Sequence, residues 1–513
     1  MFERLKSDMS IGNVTIQNRV VMPAMGVSIG KPEGGVTDDI IAFYEARAKG
    51  GTGLIISEIT RITDGAGIGE PCQLSAWRPS DVLELQRLVE VIHRYDAKFF
   101  VQLQHPGREA SAALTGEQSV APSAVANPLG GETPRELCTR ECRELIGKFV
   151  KAAKYIQLSG ADGVELHGAH GYLINSFLSP AMNFREDAYG GNFENRLRFV
   201  SEIITGIREV CGEGFPIVVR INAEEGFGLK NGIDVKEAVK IAQALEKTGA
   251  DAIDVSCYTE GTIEPGTYEQ GWKKVISKPI KKAVNIPVIA VANIKEPFIA
   301  EALLEEGAMD FVAVGRALLA DPGWTKKAFS GREAEIRTCI GCLACFGELA
   351  KLHRVKCAIN PLTCRERAYA NPVKNGADRV VAVIGGGPAG IEAALVLKKR
   401  GFHPIIFDEN DRLGGTFRNV DKGLIQKYVQ SLICQIKRAG IDLRLGRSVE
   451  VELVQSLQPV GVFLMPDGKM DMDLVARYKK RFEVIRVVEN DPKRGGVFEA
   501  IHEAHGKAFV FET

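Results

Sequence analysis

Two imidazoles and a phenol fall within six residues, at His167, His170 and Tyr172. Imidazole N–H groups can polarise the oxygen of an unsaturated carbonyl compound, which makes its Cβ electrophilic toward hydride, and a phenol can protonate Cα. A lone histidine at a strand end is more often a satisfied structural group. Here three groups together supply what reduction of a conjugated C=C bond needs. A second cluster is Cys339, Cys342, Cys345 and Cys357, spaced C-x2-C-x2-C-x11-C, with Cys364 following Asn360-Pro361. Four thiolates, three of them on one tight loop, suit a cubane [4Fe–4S] cluster. The competing site is Zn(Cys)4, whose usual mark is two separated C-x2-C pairs. The third is the glycine-rich turn Gly385-Gly386-Gly387-Pro388-Ala389-Gly390, between the apolar run Val380–Ile384 and the helical run Ile391–Lys399. Gly385, Gly387 and Gly390 let backbone amides approach a dinucleotide pyrophosphate, and Asp408, ending the next strand at Pro404–Phe407, is positioned for ribose hydroxyls.

These groups need elements to hold them. The first two-thirds of the chain repeats an amphipathic helical stretch, a glycine and a short β-branched run. Clear copies are Gly160 before Gly163–Leu166, Gly249 before Ala252–Val255, and Gly307 before Phe311–Val314. Each glycine stands where a helix end favours positive φ, and each run fits a strand of a parallel sheet buried on both faces. Continuing the count predicts strands at 19–24, 53–58, 98–103, 162–167, 216–221, 251–256, 286–291 and 310–315. Eight βα units predict an α/β fold of the (β/α)8 TIM-barrel type, with an open doubly wound sheet as the alternative. In a barrel the chemistry sits where strands end. There the sequence offers Gln102, Gln104 and His105, then His167 to Tyr172, then Arg220, and finally Gly315 and Arg316.

The chain has 513 residues, 45% apolar and 25% charged, which allows two to four globular domains. Lys+Arg and Asp+Glu are both 65, so no global field attracts nucleic acid or an anionic membrane. The N-terminal stretch lacks a signal-peptide pattern and no apolar run reaches membrane-span length, so a cytoplasmic protein is expected. Eleven cysteines are too few for a disulfide scaffold of this size, and five lie between Cys339 and Cys364. The periodicity breaks from Asp321 to Asp378, and a β-turn-α-β pattern opens at Arg379. The tail keeps a strand-like Phe482–Val488 and a helical Val497–Lys507.

The strand-end residues resemble the Old Yellow Enzyme family of FMN-dependent oxidoreductases over nearly the whole barrel. Asn18–Met25 is similar to the family's first strand. The stretch His167-Gly168-Ala169-His170-Gly171-Tyr172-Leu173-Ile174-Asn175-Ser176-Phe177-Leu178-Ser179-Pro180, followed by Arg185, Asp187 and Tyr189-Gly190-Gly191, is its most specific signature. The cysteines and the appended dinucleotide pattern direct the resemblance to the iron–sulfur branch: 2,4-dienoyl-CoA reductase, 2-enoate reductase and trimethylamine dehydrogenase.

The resemblance implies that FMN meets the backbone at Pro23, Ala24 and Met25, that Gln102 serves its pyrimidine edge, and that Arg220 stabilises the charge of its reduced form. It implies the FMN phosphate near Gly315 and Arg316. It also implies His167 and His170 on the substrate oxygen, Tyr172 as proton donor, and Cys339, Cys342, Cys345 and Cys357 on the [4Fe–4S] cluster. Gly414-Gly415 completes the resemblance to FAD-binding relatives, with Gly385, Gly387, Gly390, Asp408 and Gly415 as cofactor contacts.

The chain then departs from the pattern. Full-length relatives carry an Ala-Thr-Gly run and a second glycine fingerprint for NAD(P)H, and neither follows Gly415, after which 98 residues remain. The expected organisation is an FMN-binding barrel at 1–335, a cysteine-rich segment and linker at 336–378, and a shortened FAD-type domain at 379–513 without the NAD(P)H subdomain. Whether that remnant holds FAD, ADP alone or nothing stays open. The expected activity is ene-reduction of an unsaturated acid, ketone or thioester. An amine dehydrogenase resembling trimethylamine dehydrogenase, or an electron-transfer subunit without turnover, are the alternatives. The expected partners are a small-molecule substrate and either NAD(P)H or an electron-donor protein; a homo-oligomer stays open.

Overall fold

The structure, a computed structural model, describes residues 1–128, 130–259, 269–420, 423–465, 472–488 and 496–513. The chain forms two compact units, Met1–Leu318 with Phe346–Val355, and Leu319–Cys345 with Lys356–Thr513. Among the described residues no helix is long and apolar enough to cross a membrane.

The first unit is a closed parallel barrel. Its strands are β1 (Val20–Met22), β2 (Leu54–Ile56), β3 (Lys98–Gln104), β4 (Gly163–Gly168), β5 (Ile217–Glu225), β6 (Ala252–Tyr258), β7 (Val288–Val291) and β8 (Phe311–Ala313). Each pairs in parallel with the next, and β8 pairs back onto β1, Val312 opposite Val20, so the ring closes and the open-sheet alternative is excluded. All eight strands fall on the predicted runs. The predicted helix-ending glycines Gly160, Gly249 and Gly307 have φ of +84°, +107° and +62°. The helices between strands bury one stripe. In α1 (Thr139–Leu158) the buried side chains are Cys142, Leu145, Ile146, Phe149, Ala152, Ala153 and Ile156, the spacing of one helix face.

Alternation along the strands stacks the barrel interior in layers. The lower layer is apolar, with Phe100, Val218, Ala252, Ile289 and Phe311 clustered with Ile11 and Ile16 of an antiparallel hairpin. Burying each such side chain is worth about 1.5–3 kcal/mol. Two residues further along β3, β4, β5 and β6 the interior becomes polar, and that change positions the site.

The second unit holds five parallel strands, β9 (Val380–Ile384), β10 (His403–Asp408), β11 (Asp442–Leu445), β12 (Gly461–Leu464) and β13 (Ile485–Val487), in spatial order β11-β10-β9-β12-β13. This is the doubly wound arrangement of a dinucleotide fold. The helix after the glycine turn, α2 (Pro388–Lys399), starts three residues before the predicted Ile391, because Pro388 at its first turn has the fixed φ a helix start tolerates. It lies against the last helix, α3 (Val497–Phe509). The cysteine loop is tied to both through Arg337, which pairs with Glu392 of α2 at 2.9 Å, while Glu392 bonds His505 of α3 at 2.8 Å.

Candidate active site

Four polar side chains stand on four adjacent strands of the barrel. Gln102 stands opposite Glu165, and Arg220 stands opposite Asp254, in the strand register. Gln102 Nε2 donates to Glu165 Oε1 at 2.6 Å, and Arg220 Nε lies 3.1 Å from Asp254 Oδ2. All four are buried; among the described residues Gln102 Oε1 has no hydrogen-bond partner, and Arg220 Nε meets Asp254 as an ion pair without the alignment of a hydrogen bond. Burial and the nearby Asp254 raise the proton affinity of Glu165, and burial raises that of Asp254 against the pull of Arg220.

Further along β4 and just past its end stand the predicted catalytic residues. His167, opposite Arg220, follows Glu165 on the same face of β4. Its Nδ1 accepts the Ala169 N–H at 3.3 Å, which leaves the proton of a neutral ring on Nε2. His170 adopts φ +60°, a left-handed conformation uncommon for a residue with a side chain and typical of functional loops. Its N–H donates to Asn222, and its Nε2 is 2.7 Å from Ser256 Oγ at the end of β6. The ring of His167 lies 5.0 Å from that of His170 and 4.8 Å from that of Tyr172, edge on in both cases. The three predicted catalytic residues are therefore brought together.

Their electrostatics fit distinct roles. Burial and then Arg220 hold both imidazoles well below the usual histidine range, so they are neutral N–H donors near pH 7. Burial, then Glu70 and Glu109, push the Tyr172 hydroxyl upward, so it keeps its proton. His105, by contrast, is buried with Nδ1 accepting from Gly107 N at 3.1 Å, and burial pushes it down to about 3.

The signature after Tyr172 is scaffolding. Asn175 Oδ1 accepts from Gly171 N, and Asn175 and Ser179 both donate to Glu225, at 2.8 and 2.7 Å. Arg185 grips Asp187 at 2.5 Å and Asn183 bonds the carbonyls of Phe177 and Tyr189. The loop carrying His170 and Tyr172 is thus fastened to the end of β5.

At the ends of β1, β7 and β8 the expected flavin-binding residues also meet. A Cβ on Gly315 would stand 3.2 Å from Met25 Sδ and 3.4 Å from Pro23 Cγ, so Gly315 packs closely against both. Ala24 packs on the barrel core. Arg316 Nη2 and Lys295 Nζ both donate to Asn293 Oδ1, at 2.6 and 2.9 Å. Two cations sharing one neutral oxygen form a donor set suited to a phosphate, at the ends of strands 7 and 8 where barrels bind one.

The other predicted groups lie in the second unit. Cys357 is half-buried, and burial of its thiol together with the nearby Cys339, Cys345 and Cys342 pushes it up. Among the described residues no three His, Cys, Asp or Glu side chains converge on a single metal ion. In the glycine turn, a Cβ on Gly390 would lie 2.0 Å from Gly385 O, so strand and helix touch there through bare backbone. Gly387 caps α2, and Gly415 opens a short 3-10 turn. Asp408 closes this loop: Oδ2 accepts from Gly386 N at 2.6 Å and Oδ1 from Asn410 N at 2.8 Å.

Sequence reasoning missed Glu165, Asp254, Ser256, Asn293 and Lys295. For the first three the available signal was a polar residue at every second position of an otherwise apolar strand.

Residues 5–335 match the NADH:flavin oxidoreductase / NADH oxidase family, and residues 383–433 match an NAD(P)-binding Rossmann-like domain. The chain is 41% identical over 474 residues to an NADH oxidase of Thermoanaerobacter brockii, covering 90% of this chain and 72% of that one. It is 32% identical over 490 residues to a cinnamate reductase of Clostridium sporogenes, covering 88% and 72%. Among solved structures, a 2-naphthoyl-CoA reductase in complex with 2-naphthoyl-CoA superposes with a TM-score of 0.86 at 29% identity, over 92% of this chain and 75% of that one.

Proposed function

The chain belongs to the NADH:flavin oxidoreductase / NADH oxidase family, and from that membership we propose that this flavin-dependent oxidoreductase is an FMN- and [4Fe–4S]-dependent ene-reductase. Its substrate is an α,β-unsaturated acid, ketone or thioester. The observation that carries this reading is the compact set of two neutral imidazoles and one protonated phenol at the barrel mouth.

Bound FMN would supply the hydride that attacks Cβ. Pro23, Ala24 and Met25 would border its ring, Gln102 would meet the pyrimidine edge with the free Oε1, and Arg220 would offset the charge added on reduction. Gly315, Arg316 and Lys295 would hold the phosphate.

The chain's own residues do the rest. His167 hydrogen-bonds the carbonyl oxygen through its Nε2–H and keeps that proton, and Asn222 and Ser256 hold His170 so that its Nδ1–H joins when Ser256 donates to Nε2. Tyr172 delivers its phenolic proton to Cα, which balances the hydride at Cβ. The relative named cinnamate reductase supports an unsaturated acid, and the naphthoyl-CoA complex supports thioesters. The histidine pair argues against an amine dehydrogenase, whose cage for a cationic substrate would be aromatic.

In the second unit Cys339, Cys342, Cys345 and Cys357 would hold the cluster, and the loop Gly385 to Gly390 with Asp408 and Gly415 would hold an adenine dinucleotide. The test is anaerobic: FMN reduced in the purified protein is mixed with enoates, enones and enoyl-CoAs, and flavin reoxidation is followed. Reoxidation by at least one class is expected; none reoxidising the flavin would defeat the reading.

A further inference from the structure

Two fully buried carboxyl groups face one guanidinium inside the barrel. Glu165 and Asp254 are both 0% exposed, and Arg220 Nε lies 3.1 Å from Asp254 Oδ2. Glu165 Oε1 is taken by Gln102 at 2.6 Å. Glu165 Oε2 and both Asp254 oxygens receive no hydrogen bond from any N–H or O–H donor among the described residues. The two carboxyl groups nevertheless lie within hydrogen-bonding reach of each other. Two carboxylates that close resist being charged together in a dry interior beside one cation, so the second ionises only at raised pH. A proton held between them supplies the donor that the orphaned oxygens lack.

Their electrostatic surroundings are Arg220 on β5, which favours the charged form of both, and Lys273, ahead of the helix after β6, which favours charged Asp254. His167 and His170, further along the chain from Glu165, are neutral.

We propose that the Glu165–Asp254 pair is a redox-linked proton site: at a pH where the pair has lost its shared proton in the oxidised protein, it takes one proton from solvent when the cofactor beside Arg220 accepts two electrons and releases it on reoxidation. The inference rests on the reading that FMN binds over Arg220. The balance is simple. A nicotinamide donor transfers a hydride, two electrons and one proton, and one negative charge is added beside Arg220. Arg220 then faces that charge as well as Asp254, and a proton drawn from solvent onto the pair restores neutrality. No further oxidant or reductant enters. Glu165 and Asp254 are positioning residues here, acting through Arg220.

The experiment is a potentiometric titration of the flavin in the holoprotein at a series of pH values. Burial and Asp254 push Glu165 up to about 8, so the midpoint should fall with the slope of a two-electron, one-proton couple below about pH 8. Above it, where reduction draws the proton back onto the pair, the slope should double. Glu165→Gln keeps the size and a hydrogen-bonding partner for Gln102, and should give the shallow slope throughout. Infrared difference spectra of the wild-type protein, reduced minus oxidised at about pH 9, should show a protonated-carboxyl band appearing, a readout independent of whether the variant folds. A single shallow slope in the wild type, or no such band, overturns the proposal. If the flavin is present and reducible while the slope stays single, only the proton site fails; a purified chain that binds no FMN overturns the functional reading as well.

Discussion

The ring of Tyr172 meets that of His167 edge to face, with centroids 4.8 Å apart and planes at 74°. Such a contact contributes about 0.5–1.5 kcal/mol, too little by itself to hold a reactive loop. The loop is fixed instead by Asn175 on Gly171, by Asn175 and Ser179 on Glu225, and by the Leu173 N–H on the His105 carbonyl. The contact therefore reports a geometry set by backbone and scaffold. Its consequence is chemical: with both rings uncharged, His167 can offer a hydrogen bond to one atom of a substrate while Tyr172 offers its proton to another.

If Tyr172 gives the proton to Cα, Tyr172→Phe should slow reoxidation of the reduced flavin by an enoate by about two orders of magnitude. Reduction of the flavin by NAD(P)H should be nearly unaffected. Stopped-flow absorbance of the two half-reactions separates these effects, and wild-type rates in both would remove Tyr172 from the mechanism.

The two imidazoles should govern anion binding over the flavin. His167→Ala and His170→Ala should each weaken a phenolate or carboxylate ligand about tenfold or more, the loss of one good hydrogen bond to a charged acceptor. Ser256→Ala should weaken it less, since it only orients His170 through a 2.7 Å contact. Spectral titration of the flavin measures all three, and equal affinities in all would exclude the oxygen-holding role.

Much of this was legible in the sequence, for identifiable reasons. The eight strands show because each is a short apolar run, three of them after the helix-ending glycines Gly160, Gly249 and Gly307, and His167, His170 and Tyr172 show because few sequences put those groups so close. Strand β11 does not show: its Asp442, Leu443 and Arg444 are all exposed, so it carries no alternation to read. Asp254 is hidden for the opposite reason, since a single acid within Ala252–Tyr258 reads as an interruption until Arg220 is found opposite. Lys295 lies just beyond β7, and only the structure shows that it meets Arg316 at Asn293.

His105 predicts a pH dependence of stability. Its folded-state value, pushed down to about 3 by burial, lies below the ordinary value near 6.5. Below that value the unfolded chain binds the proton and the folded one does not. Stability is therefore full above about pH 6.5 and is lost as pH falls, by up to about 1.4 kcal/mol per pH unit. His105→Asn preserves an acceptor for Gly107 and does not titrate, so its urea-unfolding free energy should fall less steeply between pH 6 and 5. Identical slopes in the two proteins would show that His105 is not the group responsible.

The route by which electrons arrive can be decided with the whole chain. The barrel is closed, the residues expected to bind flavin converge, and the family it matches is that of NADH:flavin oxidoreductases, so the proposed hydride transfer from NADH or NADPH directly to FMN would need nothing from the second unit. The alternative is a protein that feeds the cluster. Anaerobically prepared protein should contain about four iron and four sulfide per chain, and Cys342→Ala should lower both together; one zinc and no sulfide would end the cluster assignment. The same variant then discriminates the routes. On the direct route, stopped-flow reduction of FMN by one of the two nicotinamides keeps its rate after cluster loss, because the hydride never passes through iron. If neither nicotinamide reduces FMN in the intact chain, while a low-potential electron carrier does so and only with the cluster present, the direct route is wrong and the second unit is the entry point for electrons.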